Sequence, residues 1–148
     1  MEKLILEKDE DDFYILEVND NGDTIEFDLT DIGLAEKIIN ASDNVRKIEA
    51  RKQERVLKAS EELKDDKLEL TRKIIKIENE EAREMRKTFD SFLGEGACQK
   101  IFGDKNNYAQ FNKLLDALEP HFNKMEIKLN KAKRKLADKY LPKDSDVI

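Results

Sequence analysis

The sequence predicts a mainly helical α+β protein, with a short β-meander, a long charged helical hairpin and a C-terminal helical region. The 148 residues include only five glycines and two prolines, so little interrupts a helix. Charged residues make up 42% of the chain, against roughly 25% in an ordinary domain, and extended helices expose enough surface to solvate them. Strand-like alternation is confined to the first 31 residues.

Residues 1–31 are predicted to form a three-stranded antiparallel meander. The strands are expected at 3–7, 13–18 and 24–29, and the last of these alternates cleanly between apolar and polar side chains. An Asn-Gly pair precedes the third strand and favours a tight hairpin turn, because both residue types tolerate a positive φ. Three strands are marginal by themselves, so we expect a helix to cover their apolar face.

Residues 32–92 are predicted to form a long helical arm. Thr30 and Asp31 can each accept hydrogen bonds from free N–H groups at a helix start. Apolar residues then recur at steps of three and four, which is a heptad pattern, and this stripe weakens where Lys52 and Arg55 occupy the next two seam positions.

A break within this arm is predicted near residue 65. Asp66, three residues before Glu69, resembles a capping box with aspartate in place of Ser or Thr. We therefore interpret the arm as two antiparallel helices, at about 32–64 and 66–92. The alternative is one unbroken helix roughly 90 Å long at 1.5 Å per residue.

Residues 93–141 are predicted to form a C-terminal helical region that packs with the meander. Residues 97–102 suit a short helix closed by Gly103. An amphipathic helix follows, and Pro120 is expected to start a separate last helix at its first turn. The tail at 142–148 is expected to be disordered.

Charge is unevenly distributed along the chain, whose net charge is −6. Residues 1–31 contain 12 acidic and 2 basic side chains, a net −10, and residues 124–148 contain 8 basic and 4 acidic ones, a net +4. The acidic total argues against general nucleic-acid binding. The basic last helix leaves a nucleic-acid-binding regulator as one alternative.

The sequence offers no set of residues that would form an active site. Cys98 and His121 are the single cysteine and histidine, and no third group is placed to orient them as a nucleophile and base. We therefore expect no enzyme activity, no cofactor and no metal. A single cysteine, the lack of a signal peptide and the lack of a membrane-spanning apolar run predict a cytoplasmic protein.

The apolar stripe of the arm is the candidate binding surface. A thin hairpin leaves such residues partly exposed, so a second copy or a helical client could cover them. The candidate partner-binding residues are Leu34, Ile38, Val45, Ile48, Leu70, Ile74 and Ile77.

Three segments carry a resemblance to a known family: FDLTDIGLAEKI at 27–38, FLGEGACQKIFGD at 92–104 and LLDALEPHFNKM at 114–125. With these segments the chain resembles the tail assembly chaperone-like proteins of long-tailed phages and prophages of Gram-positive bacteria. The resemblance implies a non-catalytic helper in the host bacterial cytoplasm that coats the tape measure protein and recruits tail tube protein. A structural coiled-coil adaptor that stays in the virion is the other alternative.

Overall fold

The computed structural model describes residues 1–7 and 9–140, with the side chains of 127–129 and 131–140 outside the description. The fold is mainly helical, as predicted. Its elements, in chain order, are β1 (Phe13–Glu17), β2 (Thr24–Asp28), α1 (Leu34–Glu62), α2 (Lys67–Leu93), α3 (Ala97–Phe102) and α4 (Tyr108–Tyr140). The chain divides into two compact units at 1–111 and 112–148, so α4 begins in the first and continues in the second. The predicted tail at 142–148 lies outside the described residues.

The two strands form an antiparallel hairpin in which Tyr14 pairs with Phe27 and Leu16 with Ile25. Ile25 and Phe27 are buried and their strand neighbours are exposed, which confirms the predicted alternation. The third strand predicted at 3–7 is not formed within the described residues, and its apolar side chains are exposed. A 3-10 turn follows this segment and has a capping box on Asp9 at its N-terminal end. β1 starts directly after this turn.

The loop between the strands is organised by Asn19. Its side-chain oxygen accepts from the backbone N–H groups of Asn21 and Asp23, and its amide donates to the Asp23 carboxylate at 2.7 Å. Of the Asn-Gly pair, only Gly22 has a positive φ, of 82°, so the two-residue turn implied by this pair is replaced by a wider loop. The amide of Asn19 also donates to the carbonyl of Lys100, which joins the loop to α3.

The predicted helical hairpin is present. α1 and α2 pack against each other as antiparallel neighbours, joined by a turn at 63–66, so the single long helix is excluded. The side chain of Asp66 accepts from the backbone N–H of Glu69 at 3.1 Å, as an N-cap should. Just before α1, the side chain of Asp31 accepts from the backbone N–H of Gly33 at 2.8 Å, and the helix begins at the next residue, Leu34.

The base of the hairpin contains the aromatic core. Phe89 is fully buried, with its ring centre 5.6 Å from that of Phe92 and 5.5 Å from that of Phe111. Arg86 connects α2 to the loop after α3, because its guanidinium donates to the carbonyl of Gly103 at 2.7 Å. The Asp90 carboxylate accepts from the N–H of Cys98 and orients the first turn of α3.

The last helix differs from the prediction, because α4 runs unbroken through Pro120. Proline has no N–H to donate to the carbonyl of Asp116, which usually ends or bends a helix. Here Leu118 and Met125, on either side of the proline, are both buried, and their spacing of seven residues keeps them on one face. Burial of one continuous face offsets the lost hydrogen bond. Packing of residues 112–141 with the β-hairpin stays a prediction, whereas α3 does contact it through Lys100.

Candidate protein-binding surface

The seven candidate partner-binding residues fall into two groups. Four are buried inside the monomer and would reach a partner only if the hairpin opened, namely Leu34, Val45, Ile48 and Ile77. The other three, Ile38, Leu70 and Ile74, are half-buried. A stripe of heptad residues on each helix is what an intramolecular hairpin needs for its own packing, so most of the predicted surface is core.

A buried ionic network occupies the middle of the hairpin. The carboxylate of Glu81 is 3% exposed and accepts from Arg51 and Arg55, at 2.6 Å and 2.7 Å for the closest contacts. Arg55 also donates to Glu80 at 2.7 Å. The hydrogen bond from Arg51 is the main cause that lowers the pKa of Glu81, and the one from Arg55 lowers the pKa of Glu80. Arg55, one of the two residues that interrupt the predicted apolar stripe, belongs to this network.

A second polar contact lies beside the network. The Lys52 ammonium lies 3.6 Å from the centre of the Tyr108 ring and 3.8 Å from a carboxylate oxygen of Glu78. The hydroxyl of Tyr108 is buried and has no hydrogen-bond partner among the described residues, and burial raises its pKa to about 12. Lys52, which interrupts the stripe in sequence, therefore covers an aromatic ring in the fold.

The two flanks of the hairpin differ in chemistry. Arg55 and Glu80 bridge α1 and α2 on one flank. Because a helix turns by about 100° per residue, Leu57 lies roughly 200° around α1 from Arg55, and Ile75 lies roughly 220° around α2 from Glu80. Both therefore lie on the side of the hairpin away from Arg55 and Glu80. Leu68, seven residues before Ile75, lies on the same side of α2.

This opposite flank exposes apolar side chains. Leu57 is 65% exposed, Leu68 62% and Ile75 53%. Ile39 lies five helical turns before Leu57, so it is on the same side of α1 and nearer the base of the hairpin. It is 60% exposed. We call the surface formed by Leu57, Leu68 and Ile75 the apolar flank.

The surroundings of the apolar flank are graded from neutral to charged. Helical spacing places Gln53, Ser60, Thr71 and Glu78 on the sides of the two helices that face each other, and the one charged residue among them, Glu78, lies 3.8 Å from Lys52. The charged Glu61 and Arg72 lie on the outer sides. A low-charge centre with a charged rim is the usual anatomy of a protein-binding surface. Sequence reasoning missed these residues because it followed only the heptad seam, although leucine and isoleucine off that seam were a usable signal.

The ionic flank is a cleft lined by charged side chains that are largely paired with one another. They are Arg51, Arg55, Glu80, Glu81, Arg83, Glu84, Arg86 and Lys87. Lys87 lies 3.3 Å from Glu84, and Arg86 donates to backbone carbonyls. Because these cationic side chains already contact carboxylates or carbonyl groups, they do not form a ready anion-binding site. The apolar flank is therefore the stronger candidate for recognition.

Comparison with known proteins identifies one family. Residues 21–145 match the family described as a family of unknown function (DUF6673). The chain belongs to this family. The match covers β2, the helical hairpin, α3 and α4, so it includes the whole apolar flank. No curated protein and no solved structure matches the chain significantly.

Three further features bear on the chemistry of the described residues. Over residues 1–7 and 9–140, no helix is both long and apolar enough to cross a membrane. In the same part of the chain, no group of three or more His, Cys, Asp or Glu side chains is arranged to hold a metal ion. Cys98 is fully buried, and burial raises the pKa of its thiol to about 12. Such a thiol is a poor nucleophile at neutral pH.

Proposed function

We propose that this protein is a non-catalytic assembly chaperone that binds a helical client through the apolar flank of its hairpin. The observation that carries the proposal is the placement of Leu57, Leu68 and Ile75, three large apolar side chains more than half exposed on one side of a two-helix arm. A client helix with a row of apolar residues would fit such a surface, as in other helix-in-groove complexes.

The resemblance to tail assembly chaperone-like proteins names the client as the tape measure protein, with tail tube protein as the subsequent partner. A tape measure protein is a long helical molecule whose apolar rows need cover before assembly. The acidic net charge of −6 supports this role, because charge of one sign keeps a chain with exposed apolar groups from self-precipitating.

The size of the flank predicts weak, repeated binding. Complete burial of an exposed Leu or Ile contributes roughly 1.5–3 kcal/mol, so these three partly exposed side chains contribute a few kcal/mol in total. One arm alone would therefore bind weakly once the entropic cost of association is subtracted. Several copies along one client would coat it and would still be displaced when tube subunits arrive.

The test is co-expression with the tape measure protein of the same phage or prophage, followed by pull-down. The variant L57K/L68K/I75K should lose the client while remaining folded by circular dichroism, since lysine matches leucine in helix propensity. A control, L4K/L6K/I32K, makes the same kinds of change at positions that are more exposed and lie outside α1 and α2, and it should keep the client.

Three results would overturn the proposal. One is equal recovery of the client with both triple variants. Another is stoichiometric amounts of this protein in purified phage particles, which would make it a virion component. The third is loss of binding in the control variant alone, which would move the surface to the N-terminal region.

A further inference from the structure

The β-hairpin has an open edge along β1. Backbone bonds join Leu29 to Asp12 and Val18 to Asp23 across the two strands. Hydrogen-bonded pairs alternate in an antiparallel ladder, so the N–H and C=O groups of Ile15 and Glu17 point away from β2. These groups have no partner in the part of the chain that the structure describes. Open edges of this kind are templates for another strand.

The same chain carries an unpaired apolar segment at residues 3–7, of sequence KLILE. Leu4, Ile5 and Leu6 are 93%, 76% and 81% exposed. The described residues 3–7 form no hydrogen bond or ion pair with the rest of the described chain. Three consecutive exposed aliphatic side chains in a chain this charged indicate a segment whose partner lies outside the monomer.

One antiparallel register makes the segment complementary to β1. With Ile5 opposite Ile15, Leu4 lies opposite Leu16 and Leu6 opposite Tyr14. Leu4 and Leu6 then extend the face of the sheet on which β2 carries its buried residues. In this register the N–H and C=O groups of Ile5 meet those of Ile15 on the open edge.

The charges agree with the same register. It places Lys3 directly opposite Glu17, an ion pair between strands. A shift by one residue would move Leu4 and Leu6 to the exposed face and would separate the two charges. Apolar pairing, backbone pairing and charge therefore select one alignment.

We propose that residues 3–7 of one copy add as a third strand to the β1 edge of a second copy. Each copy carries one such segment and one open β1 edge. When two copies exchange their segments, both β1 edges are paired and neither is left for a third copy, so assembly ends at a dimer. In the described chain the segment is followed by the capped 3-10 turn at Glu10–Asp12 and is exposed and unpaired, not folded back onto its own β1. The occupant of the edge is thus a second copy of this chain.

Ionic strength gives the dimer a signature. Residues 1–31 carry a net −10, so two N-terminal regions brought together repel each other. At about 1 M salt the screening length is about 3 Å, against about 10 Å at 0.1 M, and this repulsion is largely removed. Salt also screens the Lys3–Glu17 pairs, but an exposed ion pair contributes little, so loss of the repulsion dominates and the dimer is tighter at high salt.

Sedimentation equilibrium of the full chain tests the proposal at both salt concentrations. I5P should raise the dimer Kd at least about tenfold, because it removes the central N–H of the added strand. I15P, which removes an N–H that β2 does not use, should do the same. K3E and E17K should each weaken the dimer, and K3E/E17K should restore it.

Four results would overturn it: a wild-type chain that stays monomeric up to about 1 mM, a dimer unaffected by I5P, a dimer that weakens at 1 M salt, or contacts between Ile5 and Ile15 of the same chain. An NMR experiment on a mixture of isotope-labelled and unlabelled copies identifies the last case. Contacts between Ile5 of a labelled copy and Ile15 of an unlabelled copy arise only from exchange between copies.

Discussion

Arg51 on α1 forms a bidentate ion pair with Glu81 on α2, with its Nε 3.0 Å from one carboxylate oxygen and its Nη2 2.6 Å from the other. Arg55 donates to the same carboxylate at 2.7 Å. The carboxylate is buried, whereas Arg51 is half exposed. A buried pair of this kind costs desolvation energy that the hydrogen bonds offset, so its main effect is to select one alignment of the two helices.

Removing the charge of Glu81 should destabilise the hairpin. We expect E81Q to lower the free energy of unfolding by about 1.5–3 kcal/mol, since charge-assisted hydrogen bonds from two arginines are lost. Urea denaturation followed by circular dichroism measures this. The control E84Q, at a half-exposed position on the same helix, should change the value by less than about 0.5 kcal/mol. Equal effects of the two variants would contradict a special role for Glu81.

Replacing the whole network with apolar residues should have the opposite outcome. We expect R51M/R55L/E81L to be as stable as the wild type or more stable by about 1–4 kcal/mol, because no buried charge is left without a partner. The same denaturation experiment measures it. A loss of stability larger than that of E81Q would show that the ion pairs stabilise the fold beyond selecting its alignment.

Acid should weaken the fold through the same carboxylate. The folded-state pKa of Glu81 is lowered from the ordinary 4.5, mainly by the hydrogen bond from Arg51. A lowered pKa contributes stability that is present above the ordinary value and is lost as pH falls through the folded value. Unfolding measured between about pH 7 and about pH 3 should therefore show a decline in stability beginning near pH 4.5. The decline should be shallower in E81Q, and an unchanged slope would contradict this assignment.

Tyr108 carries a buried hydroxyl without a partner in the described part of the chain, so its removal should stabilise the protein. We expect Y108F to raise the free energy of unfolding by about 1 kcal/mol, since an unsatisfied buried polar group is costly. The ring under the Lys52 ammonium is kept in this variant, whereas Y108L removes it and should be destabilising. Thermal unfolding compares the three proteins. A less stable Y108F would show that the hydroxyl is satisfied.

Cys98 should react only when the protein opens. With its thiol pKa raised to about 12 by burial, the thiolate fraction near pH 8 is about a thousandfold below that of a free cysteine. Alkylation by iodoacetamide, followed by mass spectrometry, should therefore be at least that much slower in the native chain than in urea. Similar rates in both conditions would show that α3 opens freely.

The hairpin could be predicted in detail because its signals are local. Asp66 and Glu69 lie three residues apart, and the N-cap they indicate is found in the structure. The alternation at 24–29 likewise depends only on neighbouring residues, and it correctly separates buried Ile25 and Phe27 from the exposed side chains. Helix caps and strand faces are read from short stretches of chain, so they do not require knowledge of the tertiary packing.

Other features depended on residues far apart in sequence. Lys52 and Arg55 were visible as interruptions of a stripe, but their partners Glu78, Glu81 and Tyr108 come from other helices. The separate last helix expected at Pro120 is absent, because burial of one face of α4 outweighs the missing N–H. The third strand expected at 3–7 is also absent from the described residues, although the edge of β1 is open, because a local apolar pattern does not decide which edge a segment pairs with.

By itself the sequence determined the helical fold class, the position of the hairpin turn and the burial pattern of β2, since each follows from periodicity and capping within one segment. Only the tertiary structure decided that most of the heptad stripe is core and that Leu57, Leu68 and Ile75 form the exposed flank. The physical reason is that a stripe shows which residues prefer burial, whereas the choice between an intramolecular and an intermolecular partner depends on which surface is nearest once the chain has folded.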